Sequence, residues 1–127
     1  MLGQQPENVT ISKDLVAASA VPLVLSILRT GDDYGYAIIK RVAELSEGRL
    51  RWTEGMLYPV LHRLEEQGWV TSSWRDAESG RRRKYYRISR TGLAELDAQR
   101  RQWETVLAAF DRGFLERKRP GGDETGR

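Results

Sequence analysis

Residues Arg81, Arg82, Arg83 and Lys84 put four cations side by side and are followed at once by Tyr85 and Tyr86. Side chains of this kind pair with phosphate. Each arginine offers a fork of N–H donors that fits two phosphate oxygens, and each neutralised phosphate of a duplex releases condensed counterions. Taken alone, such a run is equally that of a solvated loop, and its position after a short amphipathic helix is what favours nucleic acid. From Arg75 to Arg90 the chain carries seven basic residues against two acids, a local net of +5, whereas the net charge of all 127 residues is +3. The remainder is slightly acidic, so the positive charge is placed rather than spread.

A second polar group precedes this run. Tyr58, His62, Arg63 and Glu66 lie opposite an apolar stripe of Leu57, Val60, Leu61 and Leu64, whose spacing is that of a helix with one buried face. The Tyr58 hydroxyl suits a phosphate oxygen. His62 is the only histidine and there is no cysteine, which leaves neither disulfides, thiolate chemistry nor a second soft ligand for a metal. There is also no Gly-rich phosphate loop and no converging set of reactive groups. The expectation is a binding protein with no catalytic residues, no cofactor and no metal.

Glycines punctuate the elements that must hold these groups. Gly31, Gly48 and Gly68 stand where three helices should stop. The first helix is expected from Ser12 or Asp14 to Arg29, with a kink at Pro22. The second should begin near Asp33 as N-cap and present Ile38, Val42 and Leu45 on one face with Ile39 alongside. Arg49 to Trp52 form a connector. The third helix should start loosely near Thr53 and become regular only around Met56 to Tyr58, because Pro59 removes a backbone donor and crowds the preceding carbonyls. After Gly68, WVTSSW reads as a strand and KYYRIS as its return, with a basic turn near Glu78 to Gly80. One of Tyr85 and Tyr86 must face the core, since strand neighbours point to opposite sides. Three helices and a hairpin over residues 11–88 make a mainly α fold with a small β-hairpin: a winged helix-turn-helix.

The last segment differs in kind. From Ser89, an N-cap by its side chain, Leu93, Leu96, Arg100, Trp103, Leu107, Phe110 and Phe114 recur at alternating spacings of three and four, a heptad seam with one polar interruption. A helix of about 25 residues spans some 38 Å at 1.5 Å per residue, more than a small domain can cover. A homodimer through residues 89–117 is the economical expectation, with a disordered lead at 1–10 and a disordered tail at 118–127. The longest mainly apolar run, Leu15 to Leu28, is shorter than the ~20 residues of a membrane span and reads as a buried helix, so no membrane partner is expected. Absence of cysteine is compatible with a reducing cytoplasm, the expected location.

Taken together, DDYGYAIIKRV, EGMLYPVLHRLEEQGWV and GRRRKYYRIS resemble, in this order and spacing, the PadR family of bacterial transcriptional regulators over roughly residues 16–115. With a single helix after the wing, the chain is similar to the shorter subfamily and to its multidrug-binding repressors. The resemblance implies a dimeric repressor on double-stranded DNA. It places Tyr36 and Lys40 near the DNA backbone and Thr53, Glu54, Tyr58 and His62 on the recognition helix. It assigns the wing, Arg81, Arg82, Arg83, Lys84, Tyr85 and Tyr86, to phosphates and the minor groove. It also implies that Trp103 stacks on a planar aromatic effector between subunits, the alternative being that this seam residue only fills the dimer core, and Leu107 stands where such relatives carry an acid. The competing reading is a winged-helix module for protein contacts alone, for which fold is no obstacle but the RRRK run has no evident use.

Overall fold

The computed structural model describes residues 9–117, so residues 1–8 of the expected lead and the whole of the expected tail lie outside the described residues. Helix α1 covers Lys13–Arg29, with Ser12 as N-cap accepting a hydrogen bond from the Leu15 N–H at 3.2 Å. It continues unbroken through Pro22 and buries Ala20, Val24, Leu25, Ile27 and Leu28.

The chain then departs from the expected second helix start. Asp33 is not an N-cap. Asp33–Tyr34 form a short strand, β1, and helix α2 covers Gly35–Leu45 with Tyr34 as an N-cap that makes no side-chain capping bond. The Asp33 carboxylate instead accepts from the Tyr34 N–H at 3.1 Å, and the backbone of both residues is committed to a sheet ladder. Ile38 and Val42 are buried as their spacing requires, but Leu45 at the last turn is exposed. Ser46 caps α2, and Glu47 and Gly48 follow with φ of 55° and 83°, a left-handed pair that turns the chain sharply.

Helix α3, Glu54–Glu66, is regular from its first residue rather than from Met56. Thr53 caps it by accepting from the Met56 N–H at 3.3 Å. Pro59 removes only the donor to the Gly55 carbonyl, and Gly55 is exposed, so water can take that place. Gly68, at φ +77°, ends the helix and sends the chain into strand β2, Val70–Asp76.

Strand β3, Arg82–Ile88, pairs antiparallel with β2 from Val70↔Ile88 to Asp76↔Arg82 and with β1 through Asp33↔Tyr86 and Tyr34↔Tyr85. The result is a three-stranded sheet of order β1-β3-β2, one strand more than the expected hairpin. The turn is closed by the Ala77 N–H to the Arg81 carbonyl at 2.7 Å and by the Gly80 N–H to the Ala77 carbonyl at 2.9 Å. Arg81 alone of the four cations therefore lies in the turn. Arg82, Arg83 and Lys84 belong to β3, because the ladder runs on to Asp76↔Arg82.

One core joins these elements. Val24, Leu25 and Leu28 meet Ile38, Val42, Leu57, Leu61 and Leu64, closed by Trp52 from the connector and by Val70 and Tyr86 from the sheet. Helix α4, Arg90–Leu115, is docked by its first turn. Ser89 accepts from the Gly92 N–H at 3.0 Å and donates to the Gly68 carbonyl at 2.6 Å, to which Thr91 also donates at 2.9 Å. Gly92 lies so close to the Trp69 carbonyl that a Cβ would collide with it.

Candidate nucleic-acid interface

The sheet and α3 enclose a groove of about 640 Å³. One side is lined by Tyr34, Gly35, Tyr36, Glu54 and Tyr58, the other by Trp74, Arg81, Arg82, Arg83 and Lys84. Tyr58 reaches it from the exposed side of α3 because α2 begins with a residue that has no side chain. A Cβ on Gly35 would sit 2.5 Å from the Tyr58 hydroxyl and 2.9 Å from its ring. The close approach holds the phenol at the mouth of α2, beside Tyr36.

Alternation along β3 divides the cations between two faces. Lys84 and Arg82 share the face of Tyr86, which is buried against α3. There Lys84 Nζ lies 4.0 Å from Glu65, whose other oxygen accepts from the Ser72 hydroxyl at 2.5 Å. Burial, with the nearby Glu65 carboxylate and Tyr58, pushes the Tyr86 phenol up to about 12, so it stays neutral. Arg83 is on the outer face, with its guanidinium 4.3 Å from the centre of the Tyr34 ring. Tyr34 meets Tyr85 edge-on at 5.4 Å, and Arg75 covers Tyr85 at 4.6 Å.

This outer ladder ends on Asp32. Its carboxylate accepts from Arg75 at 2.6 Å and from Arg87 at 2.8 Å. Hydrogen bonds from Arg87 and then Arg75 hold the Asp32 carboxyl below its ordinary value, against a smaller opposing effect of burial. The neighbouring Asp33 goes the other way, raised by burial and only partly offset by the Tyr34 N–H. The segment before α2 is thus pinned to the hairpin by charge, aromatic stacking and backbone pairing together. Stacked guanidinium groups lose little further freedom when they bind an anion.

Of the residues singled out from sequence, the groove gathers Tyr36, Glu54, Tyr58, Arg81, Arg82, Arg83 and Lys84. It does not gather six others, and of these Tyr86 is 3% exposed and belongs to the core, so it cannot reach phosphate. Lys40 is exposed one turn further along α2, and the Thr53 hydroxyl is engaged as a cap. His62 and Arg63 are exposed further along α3, with His62 Nε2 3.3 Å from Glu66. Tyr85 faces away from α3, half-buried under Arg75. Tyr34, Gly35 and Trp74 complete the lining and escaped the sequence reading. For Trp74 the signal was present: it stands two and four residues after Ser72 and Val70, hence on their face of the strand.

The seam of α4 is split. Leu96 is buried and Trp103 half-buried, and they border a cavity of about 280 Å³ with Ser19, Pro22, Leu23, Ser26 and Arg100. Leu93 is 44% exposed, and beyond Trp103 the side chains of Val106, Leu107, Phe110, Phe114 and Leu115 are 61, 50, 67, 82 and 81% exposed. Arg100 is held on the surface by Glu104 at 2.9 Å and Asp97 at 3.5 Å. No helix among the described residues is long and apolar enough to cross a membrane.

Comparison with known proteins agrees with this geometry. A transcriptional regulator from Clostridium thermocellum superposes with a TM-score of 0.74 at 30% identity, over 84% of this chain and 100% of that one. A PadR family transcriptional regulator from Eggerthella lenta gives a TM-score of 0.71 at 34% identity, over 82% and 88%. A transcriptional regulator of Mycobacterium tuberculosis is 44% identical over 63 residues, 50% of this chain and 58% of that one. Residues 24–98 match the transcriptional regulator PadR-like family, whose members bind DNA, and that span holds α2, α3 and the whole sheet. By fold and by sequence, this chain belongs to the PadR-like family of transcriptional regulators.

Proposed function

We propose that the protein is a dimeric, cytoplasmic repressor that binds a palindromic operator in promoter DNA. The observation that carries this reading is the groove with Arg81, Arg82, Arg83 and Lys84 on one side and Tyr36, Glu54 and Tyr58 on the other. In the proposed complex α3 enters the major groove while the hairpin follows phosphates and the minor groove. Lys40, Thr53, His62, Arg63 and Tyr85 flank that contact rather than line the groove. Residues 11–88 act as the DNA-reading unit and 89–117 as the dimerisation helix. The exposed Leu107, Phe110 and Phe114 support the dimer, since a stripe this apolar is stabilised by a second copy. Two recognition helices related by a two-fold axis then meet half-sites about 34 Å apart.

A planar aromatic effector is proposed at Trp103. The cavity beside it is small in one chain, below the ~300 Å³ at which ligand sites usually begin, and a second α4 across the seam would enlarge it. Stacking on the indole face favours flat, aromatic molecules.

Fluorescence anisotropy of labelled promoter fragments at two salt concentrations tests the repressor reading. Tight binding to the fragment upstream of the protein's own gene, at a salt where a scrambled duplex is released, is the expected result. Binding that ignores sequence would sink it. For the effector, quenching of tryptophan emission by planar dyes should disappear in Trp103→Ala.

A further inference from the structure

Trp74 is the part of the groove that phosphate pairing leaves unexplained. Its indole is 58% exposed, although a large aromatic ring is ordinarily well buried. The ladder accounts for its direction. Val70, Ser72 and Trp74 share the face of β2 that looks towards α3, where Val70 enters the core and Ser72 bonds Glu65. Trp74, one step further out, passes the end of the core and borders the groove. Lys84 stands directly opposite it in the ladder, and the Arg82 guanidinium lies 5.8 Å from the ring centre.

An exposed indole among cations suits a partner that alternates anionic and apolar surface. A duplex does so: between its phosphates, the walls of its grooves are deoxyribose rings and base edges. Resting on the reading of this groove as the DNA-binding site, we propose that Trp74 is a direct DNA contact, its indole against a deoxyribose of the groove the hairpin enters. Arg82, whose guanidinium lies over the same ring and whose Nε is 3.7 Å from Asp76, takes the adjacent phosphate. The division of labour is physical. Arg82 contributes through counterion release, which salt weakens, whereas the indole contributes through burial, which salt leaves nearly untouched.

That difference makes the role measurable. Anisotropy titrations of a labelled duplex from upstream of the protein's own gene, and of a mixed-sequence duplex, would compare wild type with Trp74→Ala, Trp74→Phe and Arg82→Ala over a salt series. Trp74→Ala should weaken binding about tenfold, as for loss of one buried aromatic contact, without changing the slope of log affinity on log salt. Trp74→Phe should retain most of the affinity. Arg82→Ala should lower the slope by about one. A matching fall in slope for Trp74→Ala would overturn the proposal, because the indole would then only position Arg82; so would unchanged affinity. If wild type binds neither duplex at low salt, the DNA-binding reading falls and takes this one with it, an outcome distinct from failure of Trp74 alone. Emission gives a second readout that also serves if Trp74→Ala does not fold: DNA should quench wild type more than Trp74→Phe, and equal quenching would refute direct contact.

Discussion

At the scale of single residues, the groove depends on side chains fixed before DNA arrives. Arg83 is stacked on Tyr34 and Arg82 lies near Trp74, so each guanidinium is held at the groove by an aromatic ring. Replacing both arginines by alanine should weaken DNA binding and flatten the salt slope by up to about two, as read by anisotropy. Gly35→Ala tests the placement of Tyr58. An added methyl group would have to displace the phenol, and because Tyr58 is 43% exposed the ring can swing outward without breaking the core. Affinity should therefore fall about tenfold, the size of a lost hydrogen bond to a charged group, with little change in Tm. Asp32 gives a pH prediction. Its folded-state carboxyl titrates below the ordinary 3.8 because Arg87 and Arg75 favour the ionised form. The stability it contributes is present above pH 3.8 and is lost as pH falls through the lower folded value. Asp33, raised by burial, acts in the opposite sense, so the comparison must isolate Asp32. Asp32→Asn should lower Tm at pH 7, and the gap from wild type should close in melts below pH 4.

At the scale of elements, junctions decide how the DNA-reading face is aimed. Helix α4 begins where α3 ends: Ser89 and Thr91 both donate to the Gly68 carbonyl, and Gly92 lies against Trp69 and Ile88. Gly92→Ala should destabilise the fold by about 1–3 kcal/mol, the range for forcing extra volume into a packed site, and here the obstacle is a backbone oxygen that cannot rotate away. A chemical melt of the variant checks this. Helix periodicity was legible along the chain, because Leu57, Leu61 and Leu64 or Ile38 and Val42 are spaced for one face and are buried on it. Strand β1 was not legible. Two residues carry no periodicity, and Asp33 looks like a cap until the partner Tyr86 is supplied. The same limit applied to the basic run. Residue types begin the returning strand at Lys84 and leave Arg82 and Arg83 before it, and only the register Asp76↔Arg82 brings these two into β3 and so onto alternate faces.

At the scale of the whole molecule, the described chain leaves apolar surface without a partner on the second half of α4. Phe110→Glu with Phe114→Glu should convert the proposed dimer to monomer in sedimentation analysis and lower operator affinity, because each half-site would then be bound independently. A variant that stays dimeric would move the interface elsewhere. The amino-acid sequence by itself determined the helices, the stops at Gly48 and Gly68, the location of the excess charge and the family resemblance, since these depend on spacing and composition along one chain. Tertiary structure decided which groups share the groove. It brought Tyr34 and Gly35 to Tyr58, turned Tyr85 away, and set Trp74 among the cations. These pairings run from 8 positions apart in the chain, for Trp74 and Arg82, to 51, for Tyr34 and Tyr85, and their geometry follows from sheet register and helix docking, which local spacing does not encode.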